Sequence, residues 1–132
     1  MKKLLILLLV TTSIYASDTV TVGNLEWQDD SAAKSNKMTW QDAIDYCQEL
    51  NLDGHSDWYL PNIKELQSIV DVSHYKPAIK SAFKNVASSS YWSSSRDASG
   101  AKYAWAVYFK NGSRSSYLKS NELYVRCVRH RQ

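Results

Sequence analysis

The sequence has 132 residues, of which 44% are hydrophobic, enough for one domain with its own apolar core. Its 16 basic and 13 acidic residues give a formal charge of only +3, too small to indicate a nucleic-acid-binding protein. No stretch approaches the roughly 20 apolar residues that a membrane-spanning helix needs.

The N-terminus has the layout of a secretory signal peptide. Lys2 and Lys3 precede the seven apolar residues 4–10, and a small, polar stretch then ends at Ala16. Cleavage after Ala16 is predicted, which leaves residues 17–132 as a single domain in the periplasm or at the cell surface. An uncleaved anchor is the alternative, but seven apolar residues are too few to span a bilayer. Without the two lysines the net charge falls to +1, so neither a nucleic-acid partner nor a membrane span is expected.

A strand and a helix are predicted in the first third of this domain. Residues 20–27 read as a strand with a Gly-Asn interruption, and residues 28–37 as a polar loop. Residues 39–50 read as a helix, with Thr39 as its cap and Asp42 at the capping-box spacing. Its apolar positions form one stripe that the core should bury: Trp40, Ala43, Ile44, Cys47 and Leu50.

A turn and a second helix follow. Gly54 marks the turn, and residues 58–61 should be extended because residue 60 precedes a proline. Asn62 is predicted to cap the helix, with Glu65 completing a capping box. Ile63, Leu66, Ile69 and Val70 supply its apolar face.

The remainder has β character. Residues 103–109 alternate, with Trp105, Val107 and Phe109 on one face, where Trp105 and Phe109 are expected in the core. Asn111-Gly112 is a strong hairpin signal, after which residues 114–118 can return along the strand. Residues 123–128 form the last predicted strand. The order of the elements predicts an α+β domain, with two helices on a twisted antiparallel sheet.

Cys47 and Cys127 are the only two cysteines. In an oxidising compartment such a pair most often forms a disulfide, which here would close a loop of 80 residues. The alternatives are a metal site and a catalytic thiol. No nearby histidine spacing supports a zinc site, and a lone nucleophile needs no partner cysteine.

Patterns that carry catalysis are not found. The three histidines lack metal-ligand spacing, no serine lies in G-x-S-x-G, and there is no glycine-rich phosphate loop. Asp29 and Asp30 are neighbours in a loop and should point apart, while Asp57 is interpreted as a turn residue with a structural hydrogen bond. The sequence therefore predicts no enzyme, cofactor or metal site.

Charge is distributed unevenly along the domain. Residues 17–95 carry 6 basic and 11 acidic residues, whereas residues 96–132 carry 8 basic and 2 acidic ones, interleaved with aromatic residues. Stacked aromatic rings with Arg and Lys are suited to anionic sugars. The simpler alternative is that the two halves neutralise each other. A ligand-binding role is predicted for five residues at or near the hairpin: Arg96, Tyr103, Arg114, Tyr117 and Lys119.

Several blocks together resemble a known family. They are W-x-x-A-x-x-Y-C-x-x-L from Trp40, G-x-x-D-W-x-L-P-x-x-x-E-L from Gly54, Y-W-S-S from Tyr91, W-x-V-x-F-x-x-G from Trp105, and Y-V-R-C-V-R from Tyr124. In this order they look like the Lcl C-terminal domain family, named for a bacterial collagen-like adhesin. The motif positions taken as structural are Trp40, Asp57, Trp58, Leu60, Pro61, Glu65, Trp92, Trp105 and Arg126.

This resemblance implies a C-type-lectin-like fold of the formylglycine-generating-enzyme type. In that fold a helix cysteine pairs with one in the last strand, which agrees with Cys47 and Cys127. The named adhesin is implicated in binding sulfated polysaccharides. Calcium is not implied, because the Glu-Pro-Asn, Gln-Pro-Asp and Trp-Asn-Asp signatures of calcium-dependent lectins are absent. Tyr59 stands where the family usually has Arg, so any carboxylate partner of that Arg must be satisfied differently.

We therefore expect an exported, non-catalytic module that binds an anionic or sulfated glycan without calcium. An envelope module that binds an envelope or host surface protein is the first alternative. An enzyme of the formylglycine-generating type is the second alternative, disfavoured because its chemistry needs reactive cysteines.

Overall fold

The computed structural model describes residues 17–132, so the predicted signal peptide lies outside the described residues. The described chain is an α+β domain, as predicted. Its elements in chain order are β1 (Thr19–Val22), β2 (Leu25–Gln28), α1 (Ala32–Ser35), β3 (Lys37–Met38), α2 (Trp40–Glu49), α3 (Ile63–Gln67), β4 (Ser90–Arg96), β5 (Tyr103–Tyr108), β6 (Ser113–Leu118), β7 (Leu123–Tyr124) and β8 (Val128–His130). Within residues 17–132, no helix is long and apolar enough to cross a membrane.

A three-stranded sheet joins the two ends of the domain. The strand predicted over residues 20–27 is in fact the hairpin β1–β2, because Gly23 adopts φ +58° and reverses the chain. Strand β8 then pairs antiparallel with β2, with Trp27 opposite Val128. The loop predicted over residues 28–37 was also too simple, since it contains the short helix α1 and strand β3.

The larger sheet has the strand order β3-β7-β4-β5-β6. Hairpin β5–β6 is confirmed, and Gly112 is required in its turn because φ is +86° and an added Cβ would lie 2.7 Å from Val70. The sheet is mixed rather than purely antiparallel, since β4 and β7 run parallel where Tyr91 meets Tyr124. The strand predicted over residues 123–128 is split into β7 and β8.

The two predicted helices form, but only one has the predicted cap. In α3, Asn62 accepts a hydrogen bond from the Glu65 amide at 2.8 Å, and the Glu65 carboxylate accepts one from the Asn62 amide at 2.9 Å. In α2, the Thr39 side chain makes no capping hydrogen bond, so the predicted capping box with Asp42 is wrong. The first amide of α2 instead donates to the Lys119 carbonyl at 3.1 Å.

The disulfide lies in one of two apolar cores on opposite faces of the larger sheet. Cys47 and Cys127 are bonded and fully buried, which confirms the predicted pairing. Around them pack buried residues that include four of the motif positions: Trp40, Trp58, Leu60 and Trp92. The second core packs α3 against β4, β5 and β8, and includes Leu66, Tyr91, Val107, Phe109 and Val128.

Burial of the alternating residues on β5 differs from the prediction at one position. Phe109 is fully buried, as expected, but Trp105 is only partly buried and belongs to neither core. Trp105 shares its face with Val107, yet the second core does not extend to it. Its indole therefore lies at the surface of the domain.

A buried polar network ties the last loop to the first. Arg126 is 1% exposed and its guanidinium lies 3.1 Å from the Asp29 carboxylate, which was expected to sit in a simple loop. The same guanidinium donates to the Gln28 and Asn85 carbonyls. Asp29 also accepts the Lys84 and Asn85 amides, so its buried carboxylate is satisfied by hydrogen bonds. The Arg126 Nε is the one nitrogen of the guanidinium that is buried without a described hydrogen-bond partner.

Tyr59 lies between Trp58 and Leu60 of the motif, and its hydroxyl has a definite partner. It donates to the Glu65 carboxylate at 2.7 Å, the same side chain that caps α3. Burial, followed by this hydrogen bond, raises the pKa of Tyr59, so the hydroxyl keeps its proton. The His130 ring stacks on Tyr59 and places Nε2 at 2.9 Å from the hydroxyl. The carboxylate is thus satisfied by a neutral donor.

Candidate functional site

Two arginines of the basic third are used inside the fold. Arg126 pairs with Asp29, and Arg129 is held between Glu26 at 2.6 Å and Asp57 at 2.7 Å. The hydrogen bond to Arg129 lowers the pKa of Asp57, which keeps this carboxylate ionised. For these two arginines the two halves of the chain do neutralise each other.

Other cations of the larger sheet have no such partner. Among the described residues, no carboxylate forms an ion pair with Arg96, Lys102, Arg114 or Lys119. All four lie on or beside the consecutive strands β4, β5 and β6. This part of the sheet therefore carries positive charge that the fold leaves uncompensated.

Arg96 and Lys119 meet at one indole ring. The Arg96 guanidinium lies 5.7 Å from the centre of the Trp40 ring, and the Lys119 ammonium lies 4.3 Å from it. Trp40 is 6% exposed and its indole nitrogen donates to the Ser93 carbonyl, so the ring is fixed. Lys119 also donates to the Ala101 carbonyl at 2.7 Å. We call Arg96, Lys119 and Trp40 the Trp40 cation pair.

Tyr117 lies on the same face of β6 as Lys119, two residues away. Its ring packs edge-on against Trp92 with the centres 6.4 Å apart, and its hydroxyl lies 2.9 Å from the Ser90 hydroxyl. Tyr117 is therefore half-buried and held in place. The structure thus gives Tyr117 a packing role against Trp92 and Ser90.

Arg114 and Tyr103 lie on the other face of the hairpin. Trp105 pairs with Ser116, and Val107 pairs with Arg114, so these side chains alternate away from Tyr117 and Lys119. The Arg114 guanidinium lies 5.0 Å from the centre of the Trp105 ring, and Tyr103 is 40% exposed. The five predicted ligand residues thus divide between two faces, which meet at the edge strand β6.

The two faces differ in their negative charge. Asp97 sits beyond the end of β4, where its carboxylate accepts hydrogen bonds from the Ser99 amide and hydroxyl and lies near Ser116, on the Arg114 face. The hydrogen bonds from Ser99 lower the pKa of Asp97, so a carboxylate charge is present there. The Trp40 cation pair is consequently the better of the two positions for an anion.

One exposed cation beside the Trp40 cation pair was not among the predicted ligand residues. Lys102 lies directly opposite Lys119, whose amide donates to the Lys102 carbonyl at 2.8 Å, and its side chain is exposed. The signal was available, because counting outward from the Asn111-Gly112 turn pairs these two positions. Trp40 was placed in the core, which is correct, but its second role as a ring under two cations could not be seen.

A family model for the Lcl C-terminal domain matches residues 16–129, nearly all of the chain that the structure describes. The comparison with curated proteins finds no match.

Proposed function

Since the chain belongs to the Lcl C-terminal domain family, we propose that it is an exported module with a C-type-lectin-like fold that binds a sulfated or otherwise anionic glycan. The binding surface is the edge of the larger sheet, centred on the Trp40 cation pair. No calcium takes part in binding. The observation that carries the proposal is the pairing of two cations, free of carboxylates, over one fixed indole ring.

Ring-stacked cations suit this ligand. The planar face of a guanidinium rests on an aromatic ring while its N–H donors point outward in its plane, where they match two oxygens of a sulfate or carboxylate. An ammonium such as that of Lys119 adds a point charge beside it. Because the ring already holds the cations in place, less side-chain freedom is lost when the ligand binds.

A long polyanion can use both faces of the hairpin. Strand β6 is an edge strand, so a chain that crosses it passes from the Trp40 cation pair to Arg114. The disulfide supports a binding role over catalysis, because both sulfurs are bonded and buried and no thiol remains for oxidation chemistry.

Replacing Arg96 and Lys119 together by Ala should weaken binding to heparin at least about tenfold at low salt, since one lost charge-assisted hydrogen bond is worth about 1.5–3 kcal/mol. Isothermal titration calorimetry measures this directly. Wild-type binding should also fade between about 50 and 200 mM NaCl, because at about 0.1 M salt the attraction between exposed charges is screened beyond roughly 10 Å. Arg114→Ala should cost less, since the Asp97 carboxylate lies on that face.

The matched control is Lys34→Ala with Lys64→Ala, which removes two exposed positive charges from helices α1 and α3. This variant should bind nearly as well as the wild type. Equal losses in both double variants mean that only net charge matters and contradict the proposed site. Retention of partner proteins with little dependence on salt favours the envelope interaction module instead.

A further inference from the structure

A polar cleft of about 560 Å³ lies where the turn around Gly54 faces strands β2 and β8. It is separate from the Trp40 cation pair, none of whose residues lines it. Its lining includes Glu26, His55, Ser56, Asp57, Arg129 and Arg131. The volume falls within the range of roughly 300–1,000 Å³ that is usual for small-molecule sites.

The walls of the cleft are held in place. One wall of the cleft is the turn around Gly54. The Trp58 indole nitrogen fixes this turn by donating to the carbonyls of both Leu52 and His55. The Arg129 guanidinium lies 6.0 Å from the centre of the Trp58 ring. On the rim, the Arg131 amide donates to the Asn24 carbonyl at 2.8 Å. The backbone that carries the cleft is thus fixed, and the Arg129 side chain is held by its contacts before any ligand arrives.

Counting hydrogen bonds shows which groups keep free capacity. Glu26 accepts from Arg129 with one oxygen and from the Thr19 hydroxyl at 3.0 Å with the other. Asp57 accepts from the Arg129 Nε at 2.7 Å and only weakly, at 3.3 Å, from a second nitrogen. The Asp57 side chain is 52% exposed, so lone pairs of its ionised carboxylate face the cleft. Arg131 lines the cleft and forms no ion pair with a described carboxylate.

We infer that this cleft binds two adjacent hydroxyl groups of a neutral sugar, with Asp57 as the acceptor and Arg131 as the donor. Asp57 and Arg131 line the same cleft. A sugar hydroxyl both donates and accepts a hydrogen bond, so a carboxylate and a guanidinium in one cleft can serve two neighbouring hydroxyls. An anionic ligand is disfavoured by Asp57 and Glu26, and a cationic one by the two arginines. Within residues 17–132, no group of three or more His, Cys, Asp or Glu side chains is arranged to hold a metal ion.

The test is a titration of the protein with mannose, galactose and glucose, followed by saturation-transfer-difference NMR in EDTA and high salt. At least one sugar should bind saturably, and Asp57→Asn should raise its dissociation constant at least about tenfold. Asp97→Asn is the matched control, because this carboxylate lies outside the cleft, and it should bind as the wild type does.

Arg131→Ala keeps the test decisive if Asp57→Asn fails to fold, because Arg131 is exposed on the rim and holds no part of the fold through an ion pair. It should weaken binding severalfold. Absence of saturable binding by all three sugars, or unchanged binding in both cleft variants, overturns the inference. The Arg96→Ala/Lys119→Ala variant should keep sugar binding, so failure here is distinct from failure of the anionic glycan site.

Discussion

Removing the Cys47–Cys127 disulfide should lower the free energy of unfolding by about 4–5 kcal/mol, because an open 80-residue loop gains chain entropy in the unfolded state. This is a large share of the stability of a domain of this size, which is typically about 5–15 kcal/mol. Urea denaturation of Cys47→Ala/Cys127→Ala, followed by circular dichroism, measures the loss.

Two controls separate the cross-link from the packing of the sulfurs. The wild-type protein unfolded in reducing buffer lacks only the bond, so its loss isolates the chain-entropy effect from the voids left by Ala. The double variant and the reduced wild type should have similar m-values, the slopes of the free energy of unfolding against urea, because both expose an uncrosslinked chain on unfolding. A loss below about 1 kcal/mol in either sample contradicts the structural role given to the bond.

Replacing Arg126 by Met should destabilise the domain by about 3–5 kcal/mol, because it leaves the buried Asp29 carboxylate without its counter-charge. The Gln28 and Asn85 carbonyls also lose their donor. Chemical denaturation measures the loss. Arg131→Met is the matched control at an exposed arginine and should fall within about 0.5 kcal/mol of the wild type.

A second variant tests the mechanism of that loss. If the unpaired carboxylate is the cause, then adding Asp29→Asn to Arg126→Met should recover part of the stability, since the buried charge is gone. If the two sites act independently, the losses in free energy of unfolding from Arg126→Met and Asp29→Asn simply add in the double variant. That outcome contradicts the buried ion pair.

Some local signals in the sequence predicted the local structure, whereas the Thr39–Asp42 capping box did not form. The Asn62–Glu65 capping box and the Asn111-Gly112 turn are complete within four residues, so no distant contact was needed to recognise them. The disulfide was also predictable, because the chain offers only one possible pair. The Gly23 turn carried the same kind of signal, but was read as an interruption of one strand.

Distant contacts explain what could not be predicted. The pairing of β2 with β8 and the parallel contact of β4 with β7 join segments far apart in sequence, and nothing local specifies either one. The alternating pattern correctly placed Trp105 on the same face as Val107. It could not show that the core covering Val107 ends before it reaches Trp105. Asp29 has no nearby basic partner, so its burial beside Arg126 was not foreseeable.

The candidate site was predictable in composition and only partly in geometry. Counting from the hairpin turn places Arg114 and Lys119 on opposite faces, a division that the sequence contained and the prediction did not use. The position of Arg96 depends on an irregularity in β4 between Trp92 and Arg96, which shifts the register with β5. That shift, and therefore the approach of Arg96 to Trp40, required the structure.

The most direct test of the proposed binding surface is an NMR titration of the protein with a short heparin-derived oligosaccharide. The indole N–H of Trp40 and the amides of residues 96–105 and 114–120 should shift most, while those around the Asp57 cleft stay unchanged. Shifts confined to the cleft, or none at low salt, would mean that the uncompensated charge on β4–β6 has no part in recognition.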